Sequence, residues 1–320
     1  MQAQWLLLSK KEKKPLPRIY IFRKVVQLLF FFIVNWVILQ SLIRTDILSE
    51  MTRVLPFLHT ARGPISGGAG LLEYTFIMIN KGEIPFIFIG LIGLISLFTA
   101  RFFCGWVCPT GFVCDALADV AGENKRLTIE SDKGGKKFKF LLLFIMFILF
   151  VPLGVYYKTD FVKYFDYSEA LGDLVNNPVS FFSLSEFLFA TLPDAIRQTI
   201  DTQAISHLFN KENPSKGIIF IIWCIILGIN VMYPRFYCKY MCPYGAIASL
   251  FSDSSLLKLQ INDARCVGRK ACGICEKVCP MQIRILDEPS KGFTGDGECI
   301  LCLECLEKCP YNAIRFKFGL

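Results

Sequence analysis

Histidine is nearly absent, with 2 in 320 residues, and charged residues make up only 19%. Two histidines, His59 and His207, leave no material for a His-rich metal site, and both read as solvated loop residues rather than haem or quinone ligands. An ordinary soluble domain carries about 25% charged residues, so the shortfall points away from one. No nucleotide-binding fingerprint is present. The glycine-rich stretch Gly63, Pro64, Gly67, Gly68, Gly70 follows no strand and reads as a flexible turn. A hydrolase elbow is also missing. The 14 cysteines are too unevenly spread for a uniform disulfide scaffold, since 10 of them lie after residue 230. At 53% hydrophobic, the chain has too much apolar material to remain disordered.

What is present is apolar and aromatic: 30 Phe, and a mean hydropathy of +0.46. Four apolar runs, at about 25–43, 84–100, 140–157 and 218–233, approach the roughly 20 residues needed to cross a bilayer. The second and fourth are short and can gain a turn from Phe102, Phe103, Gly217 and Phe236. The first follows a basic stretch, has no small-residue cleavage site close behind it, and reads as a retained helix rather than a cleaved signal. Segments 1–24 and 101–139 carry 14 Lys and Arg against 6 acids, whereas 44–83 and 158–216 carry 9 against 12. Because Lys and Arg concentrate on the cytoplasmic side, the N-terminus, the 101–139 loop and everything after residue 233 are expected there. The net charge of +8 therefore implies no nucleic acid. Phe181, Phe182, Phe187, Leu188, Phe189 and residues 194–200 read as an interfacial helix or lid, with a quinone pocket near it.

Two spans end in one phrase, R-F-aromatic-C-x-aromatic-x-C-P-x-G. It runs from Arg101 through Cys104, Cys108 and Pro109 to Gly111, and again from Arg235 through Cys238, Cys242 and Pro243 to Gly245. Each half thus reads as helix, outer loop, helix, cysteine phrase, a parallel repeat about the membrane normal. Cysteines at i and i+4 share a helix face. The proline after the second cysteine disfavours continued helix there and suits the first turn of a new one. An arginine and a nearby helix N-terminus both favour thiolate. The pairs Cys104/Cys108 and Cys238/Cys242 can supply four thiolates to one metal or cluster, act as redox-active thiols or a transient metal site, or simply permit close helix packing. Cys114 and Cys224 read as inert buried residues.

Beyond about residue 251 the chain turns polar and dense in cysteine. Cys299-x2-Cys302-x2-Cys305-x3-Cys309-Pro310 is the bacterial ferredoxin pattern, in which the fourth cysteine serves the other cluster. Cys272-x2-Cys275-x3-Cys279-Pro280 repeats it, with Cys266 in the first position after an insertion, Val267 to Ala271. The crossed assignment gives one [4Fe-4S] cluster Cys266, Cys272, Cys275 and Cys309, and the other Cys299, Cys302, Cys305 and Cys279. The insertion leaves open a three-iron first cluster. Tight triplets followed by Cys-Pro disfavour zinc. Ile274, Val278, Ile283, Ile285, Ile300, Leu303 and Ile314 are expected to cover the clusters. Arg269, Lys270, Lys277 and Lys308 read as a solvated face or as a docking patch for an acidic partner.

On these residues the chain resembles the membrane polyferredoxin family. That group includes the NapH-type quinol dehydrogenase subunit, the membrane half of the nitrous-oxide-reductase regulator and a copper-handling oxidase assembly protein. The fold expected is an all-α membrane domain of four transmembrane helices in two pseudo-symmetric hairpins, plus a C-terminal α+β two-[4Fe-4S] ferredoxin domain. Its parts are a cytoplasmic N-terminus (1–24), the transmembrane domain (25–251) and a cytoplasmic ferredoxin domain (252–320). The resemblance implies a multi-pass membrane electron-transfer subunit working between the quinone pool and a catalytic partner in a hetero-oligomeric complex. Copper handling by the paired thiols and a purely structural membrane anchor are the alternatives.

Overall fold

The computed structural model describes residues 18–34, 70–122, 134–176, 178–192, 195–196, 214–288 and 292–319. The basic stretch before residue 18, the far end of the first span (35–43), His59, the turn at 63–69, residues 194 and 197–200, and His207 lie outside the described residues.

The first half contributes α1 (Arg18–Val34), α2 (Leu71–Asn80), α3 (Phe86–Thr99), α4 (Phe102–Trp106) and α5 (Pro109–Ala121). The second contributes α6 (Phe138–Thr159), α7 (Phe161–Leu171), α8 (Pro214–Met232), α9 (Phe236–Tyr240) and α10 (Pro243–Ser252). As the Cys-Pro breaks predict, Cys108 and Cys242 are the N-caps of α5 and α10, with proline in the first turn of each. The flanks do not lengthen α3 or the C-terminal end of α8. Ala100 at φ 51° ends α3, Arg235 at φ 54° precedes α9, and in each case a separate five-residue helix follows. Non-glycine residues adopt this left-handed backbone only where the surroundings hold it. Both breaks position a buried arginine, Arg101 and Arg235.

The halves interlock by exchange. α3 packs on α10 and α8 packs on α5, so each span lies against the helix that follows the other span's phrase. α1 on α5 and α6 on α10 are the corresponding outer pairs.

The connections hold more than the sequence reading assigned them. Leu71, Leu72 and Phe76 of α2 are fully buried, and α2 packs on α6 and α3. Ten residues are too few to register as a span but enough to fill a core. Phe187 and Phe189 are likewise buried, Phe187 stacking on Trp223, so these two belong to the core, whereas Phe181 and Ile196 of the same connection are exposed. α7 adds further apolar surface there, with Phe161, Val162 and Phe165 exposed. Arg23, Arg101 and Lys139, counted above as cytoplasmic charge, are buried in ion pairs.

Residues 257–318 form the third unit. β1 (Leu257–Ile261) and β2 (Ile314–Phe318) pair antiparallel, Leu257 opposite Phe318, and bracket short helices α11 (Gly268–Ala271), α12 (Ile274–Lys277) and α13 (Glu304–Glu307). It is seated on the helices by backbone. Leu256 N donates to the Leu97 carbonyl at 2.7 Å, Arg101 N to the Cys299 carbonyl at 3.4 Å, and Trp106 Nε1 to the Leu301 carbonyl at 2.9 Å. Glu307 accepts from Ile19 N and Tyr20 N at 2.8 and 3.0 Å, capping α1. Gly105 sits so close to Ile300 that a Cβ there would collide with the Ile300 carbonyl oxygen.

Gly105→Ala is therefore expected to lift the cysteine-rich unit off the helices. The cost is about 1–3 kcal/mol, typical of overpacking, read as a lower unfolding midpoint in detergent. Gly90→Ala, which meets nothing within 4 Å, should leave the midpoint unchanged or slightly raised.

Candidate functional site

The eight C-terminal cysteines sort into two cavities. Cys266, Cys272, Cys275 and Cys309 line one, and Cys279, Cys299, Cys302 and Cys305 line the other. The sorting follows the crossed order: the last cysteine of each run is on the other run's cavity. The inserted residues Val267 to Ala271 form the single turn α11, which keeps Cys266 on the same cavity wall as Cys272.

Two local devices recur in both runs. Gly273 and Leu303, each following the first cysteine of a C-x2-C pair, adopt φ 62° and 63° and start α12 and α13. Amides of Ile283 and Ala313 donate to the sulfurs of Cys279 and Cys309 at 3.5 and 3.4 Å. Ile274 and Ile314 line the first cavity, and Ile283, Ile285, Ile300 and Leu303 the second. Val278 is buried but lines neither. The second cavity is the more enclosed. Cys299, Cys302 and Cys305 are buried against the helices, whereas Cys266, Cys272, Cys275 and Cys309 are partly exposed. Burial pushes the Cys299 and Cys275 thiols up, to about 12 and 11. Thiols so disfavoured as free anions suit a site where metal supplies the compensating charge. Four thiols on a small apolar cavity fit an iron–sulfur cubane by donor type.

The two membrane-side phrases clasp each other. Arg235 Nη1 donates to the Cys104 carbonyl at 2.8 Å, and Arg101 Nη2 to the Cys238 carbonyl at 3.2 Å. The phrase glycines make room for this. A Cβ at Gly111 would meet the Arg235 guanidinium and the Cys104 carbonyl, and one at Gly245 the Arg101 guanidinium and the Cys238 carbonyl. The first and last residues of the shared phrase are thus explained by each other across the repeat.

Each arginine also needs a carboxylate, because a lone buried charge is costly. Arg235 binds Asp115 through two parallel bonds, Nε to Oδ1 at 2.6 Å and Nη2 to Oδ2 at 2.7 Å. Arg101 instead pairs with Glu298, one residue before Cys299, and Lys139 joins the same carboxylate. Arg23 links Glu304 at 2.7 Å to Asp115 at 3.4 Å, and Gln27 donates to Asp115 at 3.1 Å and to the Gly105 carbonyl at 2.8 Å. Burial alone would raise the Asp115 carboxyl. The Arg235 and Arg23 guanidinium groups hold it well below the usual carboxylate range.

Cys104, Cys108, Cys238 and Cys242 are all buried at this clasp. A hydrogen bond with Cys114, aided by Arg235 and Arg101, holds Cys238 down at about 7 despite burial. Burial pushes Cys108 up to about 12. Cys114 is thus a neighbour of the second pair rather than an inert packer in the first. Cys224, expected to be buried, is exposed on α8. Arg269 does not stand as a free cation, since it bridges Glu276 and Asp287, both at 2.8 Å. Sequence reasoning missed Asp115, Glu298, Arg23, Gln27 and Lys139. Only Glu298, directly before a ligand-type cysteine, carried a local hint.

Comparison with known proteins places these features. Residues 265–314 match the family model of a 4Fe-4S dicluster domain, and residues 83–128 and 217–261 each match that of a 4Fe-4S binding domain. The chain is similar to an uncharacterized protein of Methanocaldococcus jannaschii, 24% identical over 88% of this chain and 92% of the relative. It is also similar to the putative electron transport protein YccM of Escherichia coli, at 25% identity over 76% of this chain and 59% of that one. The ferredoxin-type protein NapH of Haemophilus influenzae is 21% identical over 68% of this chain and 62% of its own length. No solved structure matches the chain. The resemblance to the membrane polyferredoxins and the 4Fe-4S character of the chain are borne out.

Asp115→Asn is expected to be among the most damaging conservative changes outside the cysteines, because it leaves Arg235 and Arg23 without their shared carboxylate. Breaking a buried pair costs about 3–5 kcal/mol. The check is the unfolding midpoint in detergent beside Lys163→Ala, an exposed i,i+3 partner of Asp160 that should change it by no more than about 0.5 kcal/mol.

Proposed function

We propose that this relative of the membrane polyferredoxins is a membrane-bound electron-transfer subunit, not catalytic alone, that works between a quinone pool and a redox partner. The observation that carries the reading is the division of eight cysteines, in crossed order, between two four-cysteine cavities. We assign Cys266, Cys272, Cys275 and Cys309 as ligands of one [4Fe-4S] cluster, and Cys279, Cys299, Cys302 and Cys305 as ligands of the other. Cubanes bound there supply one-electron oxidation and reduction. The protein's part is to hold, cover and tune. Amides of Ile283 and Ala313 donate to ligand sulfurs, and Ile283, Ile285, Ile300 and Leu303 keep water from the inner site. The partly exposed first site faces a soluble or peripheral partner.

We read the helical part, 25–251, as a four-span membrane domain. Among the described residues one helix, Gly135–Thr159, is long and apolar enough to cross by itself. Support for the others comes from apolar side chains that project from the protein surface: Leu28 and Leu29 on α1, Phe86 and Ile87 (82% exposed) on α3, and Ile221 and Ile225 on α8. Apolar area on this scale needs a cover, and lipid provides one. The basic bias of 1–24 and 101–139 supports placing the 252–320 domain in the cytoplasm. An apolar cavity between α2 and α6, lined by Ile79, Ile84, Pro85, Phe147, Val151 and Lys158, is a candidate quinone site.

The test is iron content of the anaerobically purified full chain. Cys275→Ala and Cys302→Ala should each remove roughly four irons. Combining Cys309→Ala with Cys275→Ala should remove no more than either alone, whereas combining it with Cys302→Ala should remove roughly eight. The reverse pattern would refute the crossed assignment. Zinc at these positions, or iron untouched by any of the changes, would refute the electron-transfer reading.

A further inference from the structure

We infer that Cys104, Cys108, Cys238 and Cys242 together hold a third [4Fe-4S] cluster, shared between the two halves of the repeat. The inference deepens the electron-transfer reading and rests on it.

Each 4Fe-4S match in the helical region contains one phrase, and each phrase has one pair of cysteines, half of a cubane's usual thiolate set. The arginine clasp unites the halves. All four cysteines are buried, and Arg101 lies within electrostatic reach of Cys104, Cys238 and Cys242. No three His, Cys, Asp or Glu side chains among the described residues are placed to hold a single metal ion.

Charge points the same way. Among the described residues along the seam between the phrases and the cysteine-rich unit, the four cations Arg23, Arg101, Lys139 and Arg235 are buried with three carboxylates, Asp115, Glu298 and Glu304. A dry interior with surplus cation favours anionic groups beside it. Cubanes held by four thiolates are anionic, and this seam has the inner ferredoxin-type site on one side and the paired phrases on the other. Thr110 Oγ1, two residues from Cys108, is buried with no hydrogen-bond partner among the described residues, a donor left over for a bound group.

Backbone comes close in the phrases at Gly105, Gly111 and Gly245, so glycine makes the tight contacts there. Cysteine adds nothing there that alanine or serine would not, except sulfur.

The experiment is iron and sulfide analysis with EPR and Mössbauer spectroscopy on the full chain purified anaerobically in detergent. Roughly twelve irons per chain are expected. The double change Cys104→Ser with Cys238→Ser should remove roughly four of them and leave the iron that Cys275→Ala and Cys302→Ala remove. Cys114→Ser, at a neighbour assigned no ligand role, should keep all of it. Roughly eight irons in the unaltered chain would overturn the third cluster while leaving the proposed function standing, and needs no variant to fold. A disulfide among the four, or one copper or zinc lost with the double change, would overturn it equally. A total iron content that both Cys275→Ala and Cys302→Ala leave unchanged would instead strike the proposed function.

Discussion

Two buried guanidinium groups, each reaching across to the other half's backbone, tie the two halves of the repeat to each other. Arg101 and Arg235 each donate to the carbonyl of the first cysteine in the opposite phrase. They fit because the glycine seven residues after that cysteine leaves the space open. Buried arginine is tolerated only with a paired carboxylate. The halves solve that need differently. Asp115 lies on the helix following the first phrase, whereas Ser249 occupies the corresponding place in the second. The missing acid is supplied from outside the repeat, by Glu298 of the cysteine-rich unit. This difference between the halves thus adds an ion pair to the backbone contacts that seat that unit on the helices.

The grouping of the eight C-terminal cysteines around two cavities was legible in the sequence because cysteine spacing is a local property. Triplets at x2 and x3 with a trailing proline identify the loops, and the crossed pairing follows from geometry those loops impose. The helix breaks at Cys108 and Cys242 were readable for the same reason, since proline acts on its neighbours. The arginines were read as thiol activators and prove to be structural clasps as well. Their partners lie 120 to 197 residues away, and no local pattern announces such distant pairs. The burial of α2 escaped because ten apolar residues resemble a loop ornament when only span length is counted. Cys224 was assigned to the interior on residue type alone, and its position on the outer stripe of α8 decides otherwise.

Burial grades across the cysteine-rich unit. The Cys266–Cys309 cavity opens toward solvent, and the Cys299–Cys305 cavity abuts the clasp through Cys299, Ile300 and Leu301. Three consecutive residues therefore carry a ligand-type thiol, a backbone contact with Gly105 and a carbonyl bonded to Trp106. The inner site and the helical domain share atoms of one short strand of chain, so a displacement of either is felt by the other.

Glu298 also imposes an order on biosynthesis. Arg101 is made 197 residues before its carboxylate, an interval of roughly ten to forty seconds at ordinary ribosomal speed. Throughout that wait Arg101 and Lys139 lack this carboxylate, and burying them without it is costly. Closure around these two cations is thereby deferred until the final segment has emerged and folded against them.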